Sequence, residues 1–581
     1  MNTSFFPTRL LDIGIDATTD PRLIISADLL SITSGTSIHY AAVSYCWGNT
    51  ADALAQTKTT PANLHERLRA IPIFEMSTIM QDSVAVCRAL SIRYLWIDAL
   101  CIIQDPADPS DWERESERVG QVYQHAYFTI CAMSPPSCHQ SFLARSQHTF
   151  HLDFQSSLYS PARGQYTLYF AGLCSGVPVY DSMLIDFYNS AWNNRGWVYQ
   201  EQELSLRKLL FGQHMVHFEC SRRQASENGE IFTEYGGIDW GRWTNLTREQ
   251  VYRGFREAIR KYSSRSLSYE SDRLPALAGV AKRVFECTGS KYLAGLWMED
   301  LHVALLWVAK GPGTRQSLAE RLDLLRASRG SSAPSWSWVS HPGYIEHSLF
   351  ACLSGLGTDS HLRPEYASID GWTALKGAGL NQFGEVKSGT IRVRGKVLPM
   401  PTDFVLEGDS NQRLTICRES DRGAVVAYCC LDWMESAVDF PGRLGMLLLS
   451  SGCNMSEDDE ADEGQDKENG GQDEDTQEAQ GGKSEDEDAA ENDDEDEGDA
   501  RQRRGSQSGM HSPTQDTASE DGETCAFCND EKHNRHALGV IVHPAETTGE
   551  YYRVGVFESR ANHAGGVQLF NGAEDVWIEI V

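Results

Sequence analysis

Positive charge is scarce in this chain. It has 51 Lys and Arg against 82 Asp and Glu, a formal net charge of −31. The basic stripe of a nucleic-acid binder is therefore missing, and no nucleic-acid partner is expected. No apolar run approaches the ~20 residues that a membrane-spanning helix needs. The most apolar stretch, Tyr94 to Ile103, is broken by Asp98, so no membrane span is expected. Met1 to Asp16 lacks a basic segment followed by an uninterrupted apolar one, which argues against a signal peptide. Fifteen scattered cysteines in 581 residues do not form a disulfide framework, and a reducing, cytoplasmic setting with free, buried thiols is the expectation. The sequence also lacks GxxxxGK[ST], a GxGxxG opening a helix after a strand, and HExxH, which sets aside kinase, ordinary dehydrogenase and zincin readings. No internal repeat has a fixed period.

What is present suffices for large cores: 41% of residues are hydrophobic and 10% aromatic. The charge is uneven. Between Glu457 and Asp499 stand 23 acids and two lysines, a local net of −21 that leaves only about −10 for the rest of the chain. Composition divides the chain into a lead-in (1–39), an α/β domain (40–220), a helix-rich middle region (221–380), a β-rich region (381–453), an acidic insertion (454–524) and a β-rich C-terminal part (525–581). The acidic insertion has almost no aliphatic residues and is expected to be disordered. It is read either as a solvated, passive loop or as an acidic docking element for a basic protein partner.

Within 40–220, Tyr40 to Cys46 reads as a strand ended by Trp47-Gly48. Ser77 is placed to cap a helix with Met80, Val84 and Cys87 on one face. Tyr94-Leu-Trp-Ile97 reads as a strand buried on both faces, followed at once by Asp98. The expected fold class is α/β, with a mostly parallel central sheet flanked by helices, then a helical region and a β-rich C-terminal part. Ligands of such sheets sit beyond the carboxyl ends of the strands, where Trp47, Gly48 and Asp98 fall. Ser110-Asp-Trp-Glu113 has capping-box spacing and predicts a helix starting near Asp111. On its wheel, Trp112, Val119, Val122 and Tyr123 form an apolar stripe, and Glu115 falls inside it. A carboxylate there is either a structural partner of Arg195 or backbone N–H groups, or a catalytic acid or base.

Three segments carry a resemblance: Ala42-Val-Ser-Tyr-Cys-Trp-Gly48, Tyr94-Leu-Trp-Ile-Asp-Ala-Leu-Cys-Ile-Ile-Gln104 and Asn194-Arg-Gly-Trp-Val-Tyr-Gln-Glu201. They resemble, in order, the signature blocks of the fungal heterokaryon incompatibility (HET) domain, and Asp111 to Ala132 resembles the block between the second and third. The resemblance covers about 40–201. It implies a cytoplasmic effector of fungal non-self recognition and programmed cell death, with protein partners in that pathway and self-assembly. The family is also thought to be remotely similar to TIR domains, some of which hydrolyse NAD with a helical glutamate. Trp112 and Glu115 resemble that tryptophan–glutamate pair, although the TIR pattern places one more residue between them, where this chain has Ser116.

On that resemblance the alternative function is NAD glycohydrolysis, with NAD as substrate and no certain cofactor. Breaking the nicotinamide–ribose bond passes through an oxocarbenium-like state that a carboxylate must stabilise. Glu115 is the candidate catalytic residue. Trp47, Gly48, Trp96, Asp98 and Arg195 are the candidate binding residues, each with a structural alternative: core packing for the tryptophans, turn capping for Asp98, ion pairing for Arg195. Trp197 is a further candidate aromatic wall, and Gln200-Glu201 reads chiefly as a structural pair at a helix end. Cys46 and Cys101 are candidate nucleophiles only with a histidine alongside, and His125 is the nearest in sequence. Cys525, Cys528, His533 and His536 have zinc-ligand types, but the Cys528–His533 gap is far shorter than the ~12 residues of a finger. No metal is assigned. A non-catalytic interaction module using the acidic loop is the third functional reading.

Overall fold

In the computed structural model, the described residues are 5–16, 18–32, 38–144, 149–159, 161–169, 173–174, 177–178, 182–229, 231–232, 246–310, 317–330, 333–341, 343–347, 362–376, 381–400, 404–408, 414–418, 421–432, 444–452, 535–561 and 565–581. The acidic insertion lies outside them, as do Cys525, Cys528 and His533. His536 is described, within a strand.

The N-terminal sheet contains β1 (Arg9–Asp12), β2 (Arg22–Ile25), β3 (Tyr40–Ser44), β4 (Tyr94–Trp96), β5 (Phe128–Ala132), β6 (Arg207–Phe211), β7 (Val216–Cys220), β8 (Arg223–Ser226) and β9 (Ile231–Phe232). Its spatial order is β9-β8-β7-β6-β5-β3-β4-β1-β2. The central strands β4, β3, β5 and β6 run parallel, and antiparallel strands finish both edges. β3 and β5 are buried at every position, as strands covered on both faces must be. The chain leaves β3 toward β4 on one side, then returns across β3 to β5 and continues to β6 on the other. The topological switch point therefore lies between the carboxyl ends of β3 and β5, where Ser44 is opposite Cys131.

The associated helices are α1 (Thr50–Ala55), α2 (Thr78–Ala89), α3 (Asp98–Cys101), α4 (Ser110–Ser116), α5 (Val119–His125) and α6 (Val198–Leu204). Helix α2 buries Ile79, Met80, Val84 and Cys87, the face expected from its spacing, while Ser77 makes no side-chain cap bond. The single helix expected from Asp111 onward is two. The Arg118 N–H reaches back three residues to Glu115 (2.9 Å) instead of four, which tightens the turn and separates α4 from α5. Trp112 consequently leaves the apolar stripe and is 36% exposed.

Three longer helices follow: α7 (Arg248–Ser263), α8 (Ala278–Thr288) and α9 (Leu318–Ser328). Thr247 and Gln250 form a reciprocal capping box on α7, which buries Val251, Phe255, Ala258, Ile259 and Tyr262 along one stripe. Helix α8 packs on both α5 and α6. Its approach depends on paired glycines: a Cβ on Gly120 would lie 3.0 Å from the Gly279 Cα.

The C-terminal β region contains a closed circuit of five strands: β10 (Val386–Pro399), β11 (Gly445–Gly452), β12 (His536–Pro544), β13 (Glu550–Ser559) and β14 (Asp575–Ile580). Pairing runs β10–β11–β12–β13–β14 and back to β10, with only β13–β14 parallel. Gly452 and His536, the paired residues nearest the acidic insertion, face each other at the open end of the β11–β12 pair. The free cysteines Cys46, Cys87, Cys101, Cys131, Cys138, Cys417, Cys429 and Cys430 are buried.

Candidate active site

The switch-point crevice is built from three stretches of sequence. Beyond β3, Tyr45 and Cys46 are buried and Trp47 is half-buried. Gly48 then turns the chain at φ +94°, a conformation that L side chains rarely adopt, and a Cβ there would meet the Asp52 carboxylate. That carboxylate accepts the Asn49 N–H in the capping box of α1. Beyond β4, Asp98 opens α3, its carboxylate accepting the Ala99 N–H (2.7 Å) and the Trp47 indole N–H (2.8 Å). The third stretch, Asn194 to Glu201, supplies Arg195 and Glu201.

Ser44 joins two of these stretches. Its hydroxyl donates to the Glu201 carboxyl and accepts the Trp192 indole N–H at 2.7 Å. The Arg195 guanidinium donates to the Tyr45 carbonyl. Its charge acts on Asp98, Glu201 and the Cys46 thiol. Asp98, Arg195 and Glu201 are all half-buried, so two acids and one cation stand together where the central strands end. Burial pushes the Glu201 carboxyl up to about 7; Asp98 adds to the rise, and Arg195 and Ser44 offset part of it. Burial likewise raises Asp98, against the Ala99 N–H, Arg195 and Trp47. A carboxyl near 7 gives and takes protons at neutral pH, which is what general acid–base chemistry requires.

The structure thus brings Trp47, Gly48, Asp98 and Arg195 to one end of the sheet, with Glu201 among them. Trp96 goes elsewhere: it is 2% exposed in the core, edge-on to Tyr123 with ring centroids 5.6 Å apart. Glu115 points inward, at 4% exposure. Its nearest cations are Arg114 (3.8 Å) and Arg9 (4.0 Å), not Arg195. Both arginines bond more closely to Asp111, leaving one Glu115 oxygen without a hydrogen-bond partner. Trp197 packs edge-on to Trp112 at 6.1 Å and donates to Asp272 (3.0 Å).

The candidate nucleophiles are held neutral. Burial raises the Cys46 thiol and pushes Cys101 up to about 12. His125 bonds the Gln121 carbonyl and stacks near Phe5. Another group has the residue types of a hydrolytic triad. Asp186 bonds His217 Nε2 (3.0 Å), and Ser226 bonds His217 Nδ1 (2.8 Å). His217 is fully buried and Ser226 8% exposed, so substrate has no access and the group is structural. Among the described residues, no group of three or more His, Cys, Asp or Glu could hold a metal ion. No described helix is long and apolar enough to cross a membrane.

Glu201 is the residue that sequence reasoning undervalued. The available signal was its neighbourhood: Val198, Tyr199 and Gln200 precede it, and all three are buried. An acid one residue beyond such a run is pulled away from water with them.

An α/β domain with an ionisable crevice at its switch point is the class that this architecture defines. Residues 40–201 match the family described as heterokaryon incompatibility protein (HET), and this part of the chain belongs to that family. At the level of the family, this match supports a role in fungal incompatibility and programmed-cell-death signalling. No curated protein and no solved structure matches the chain.

Proposed function

We propose that this protein is a cytoplasmic effector of fungal non-self recognition, and that its death signal is hydrolysis of the nicotinamide–ribose bond of NAD. The observation that carries the reading is the half-buried triad Asp98, Arg195 and Glu201 at the switch point, with the Glu201 carboxyl near neutrality. In the proposed step, water attacks the anomeric carbon as the bond to the pyridinium nitrogen breaks. The bonding electron pair leaves with nicotinamide, and the water proton passes to Glu201. The Glu201 carboxylate also offsets the positive charge of the oxocarbenium-like state. Asp98 is suited to ribose hydroxyls, Arg195 to a phosphate and Trp47 to a flat ring. Protein partners and self-assembly belong to this reading as the means of control.

The test incubates the purified full chain, dilute and concentrated, with NAD and quantifies released nicotinamide. Glu201→Gln is expected to lower turnover at least 100-fold, with Glu115→Gln within a few-fold of wild type. The converse pattern assigns the proton-accepting carboxylate role to Glu115. An intact wild-type sample that releases no nicotinamide at any concentration overturns the hydrolase reading.

A further inference from the structure

Helix α9 buries Leu318, Leu322 and Leu325, and in the same row it buries Arg321, at 3% exposure. Placing a guanidinium at a leucine position costs several kcal/mol unless something compensates the charge. Elsewhere the compensation is visible. Arg9, Arg256 and Arg553 each bond an aspartate: Asp111, Asp300 and Asp432. Arg265 lies over the Tyr199 ring (5.0 Å) and Arg273 over Trp338 (5.4 Å). Arg321 has no carboxylate within 4.0 Å among the described residues. Its bonds go to the neutral Ser340 carbonyl (3.2 Å) and hydroxyl (3.4 Å), and its Nε has no acceptor.

Arg321 also lines a cleft of about 370 Å³. Its other walls are largely apolar, with Leu274, Leu325 and Val386 buried and Leu324 at the mouth 49% exposed. Two acids, Glu270 and Glu385, also border it, the first exposed and the second half-buried. Asp432, the carboxylate whose charge reaches Arg321, is itself bonded to Arg553, so a cation with no carboxylate of its own between largely apolar walls matches a single negative charge on an apolar body. The bordering acids repel an anion in proportion to its charge, so they disfavour nucleotides more than a monocarboxylate.

We infer that this cleft is a binding site for a small monocarboxylate with an apolar body, whose carboxylate pairs with Arg321. The cleft wall is continuous with the segment that holds the third signature block. Asp272 accepts the Trp197 indole N–H (3.0 Å), and the Ser266 carbonyl accepts the Gly196 N–H (2.8 Å). Occupancy therefore bears on the placement of Arg195 and Glu201. That this placement governs NAD cleavage rests on the function proposed above; the binding itself does not.

The test titrates the full chain with decanoate, octanoate and phenylbutyrate by calorimetry, with decanol as the neutral control. Saturable binding of at least one carboxylate, at least tenfold tighter than decanol, is expected. Arg321→Met is expected to abolish that preference while leaving decanol binding unchanged. Leu324→Glu, at the exposed mouth, should weaken the carboxylate at least tenfold even if Arg321→Met does not fold. No saturable carboxylate binding, equal affinity for decanol, or indifference to Leu324→Glu overturns the site. Hydrogen exchange across 194–201 and 265–274 reads the coupling without NAD. Greater protection on binding is expected, and unchanged exchange in a saturated sample overturns the link while sparing the site.

Discussion

Replacing Glu201 by Gln gives a stability signature that needs no knowledge of substrate. The native carboxyl titrates near 7, against an ordinary value of 4.5, because it is withdrawn from water beside Asp98. A native pKa above the unfolded one means that the folded state binds more protons throughout the window between them. This contribution is fully present below pH 4.5 and is lost as pH rises through 7. Linkage with these two values gives a loss of roughly 2–3 kcal/mol between pH 5 and pH 8. Glutamine accepts the Ser44 hydroxyl through its amide oxygen but does not titrate, so the variant lacks this slope. The assay is urea unfolding of both proteins at half-unit steps from pH 5 to 8.5. Their stabilities should diverge steadily, with the variant gaining on wild type by about 2 kcal/mol or more at the alkaline end. Other titrating groups cancel in the difference. Parallel curves would refute the claim that burial lifts the Glu201 carboxyl toward neutrality, and with it the case for proton transfer at this site.

Further outcomes at Trp197, Asp186 and Gly48 follow from the geometry. Trp197→Phe keeps an aromatic ring against Trp112 but leaves the Asp272 carboxylate without its 3.0 Å donor, so a loss of about 1 kcal/mol is expected by chemical denaturation. In a double-mutant cycle with Asp272→Asn the two changes should be non-additive. Asp186→Ala removes the acceptor shared by His214, His217 and the backbone N–H groups of His214 and Met215, and should cost about 3 kcal/mol or more; a melting temperature within a degree or two of wild type would contradict this. Burial works against the Asp186 charge, but those bonds hold its carboxyl below the usual range. Its stabilisation is thus present above pH 4 and fades as acid protonates it, which the Asp186→Asn difference measured down to pH 3 should show. Gly48→Ala forces an unfavourable φ and a clash 2.4 Å from an Asp52 oxygen, and a loss of about 1–2 kcal/mol is expected in thermal melts.

Local patterns were legible wherever the physics is local. The burial of Tyr40–Ser44 and of Leu95–Ile97 follows from their apolar runs. The position of Asp98 at a strand end follows from an acid placed directly after one. The inward aim of Glu115 followed from helical spacing, yet its surroundings did not, because Arg9 comes from a strand 102 residues before Asp111. The break at Arg118 was hidden as well: nothing in the apolar stripe marks a backbone bond that returns to Glu115 rather than to Arg114. Glu201 was underweighted because its shift comes chiefly from burial among elements distant in sequence, with Asp98, from another strand end, adding to it. Closure of the C-terminal strands was unreadable for the same reason, since β14 pairs on one side with β10, a strand distant in sequence.

The family match ends at residue 201, but the organisation of the site does not. The sheet presents Ser44 from a position that backbone pairing fixes, with Tyr45, Trp47 and Asp98 directly beyond the ends of paired strands. Arg195 and Glu201 sit on a short segment whose register is held from downstream. The Ser266 carbonyl takes the Gly196 N–H, Asp272 takes the Trp197 indole, and Gln200 accepts the Gly279 N–H at 3.1 Å. At about 1 kcal/mol each, these three bonds amount to roughly 3 kcal/mol, enough to move a two-state equilibrium by about 100-fold. A segment poised on that scale can be engaged or released by modest changes in the region that grips it. The downstream half of the protein is therefore placed to control the crevice, because half of the crevice is mounted on it.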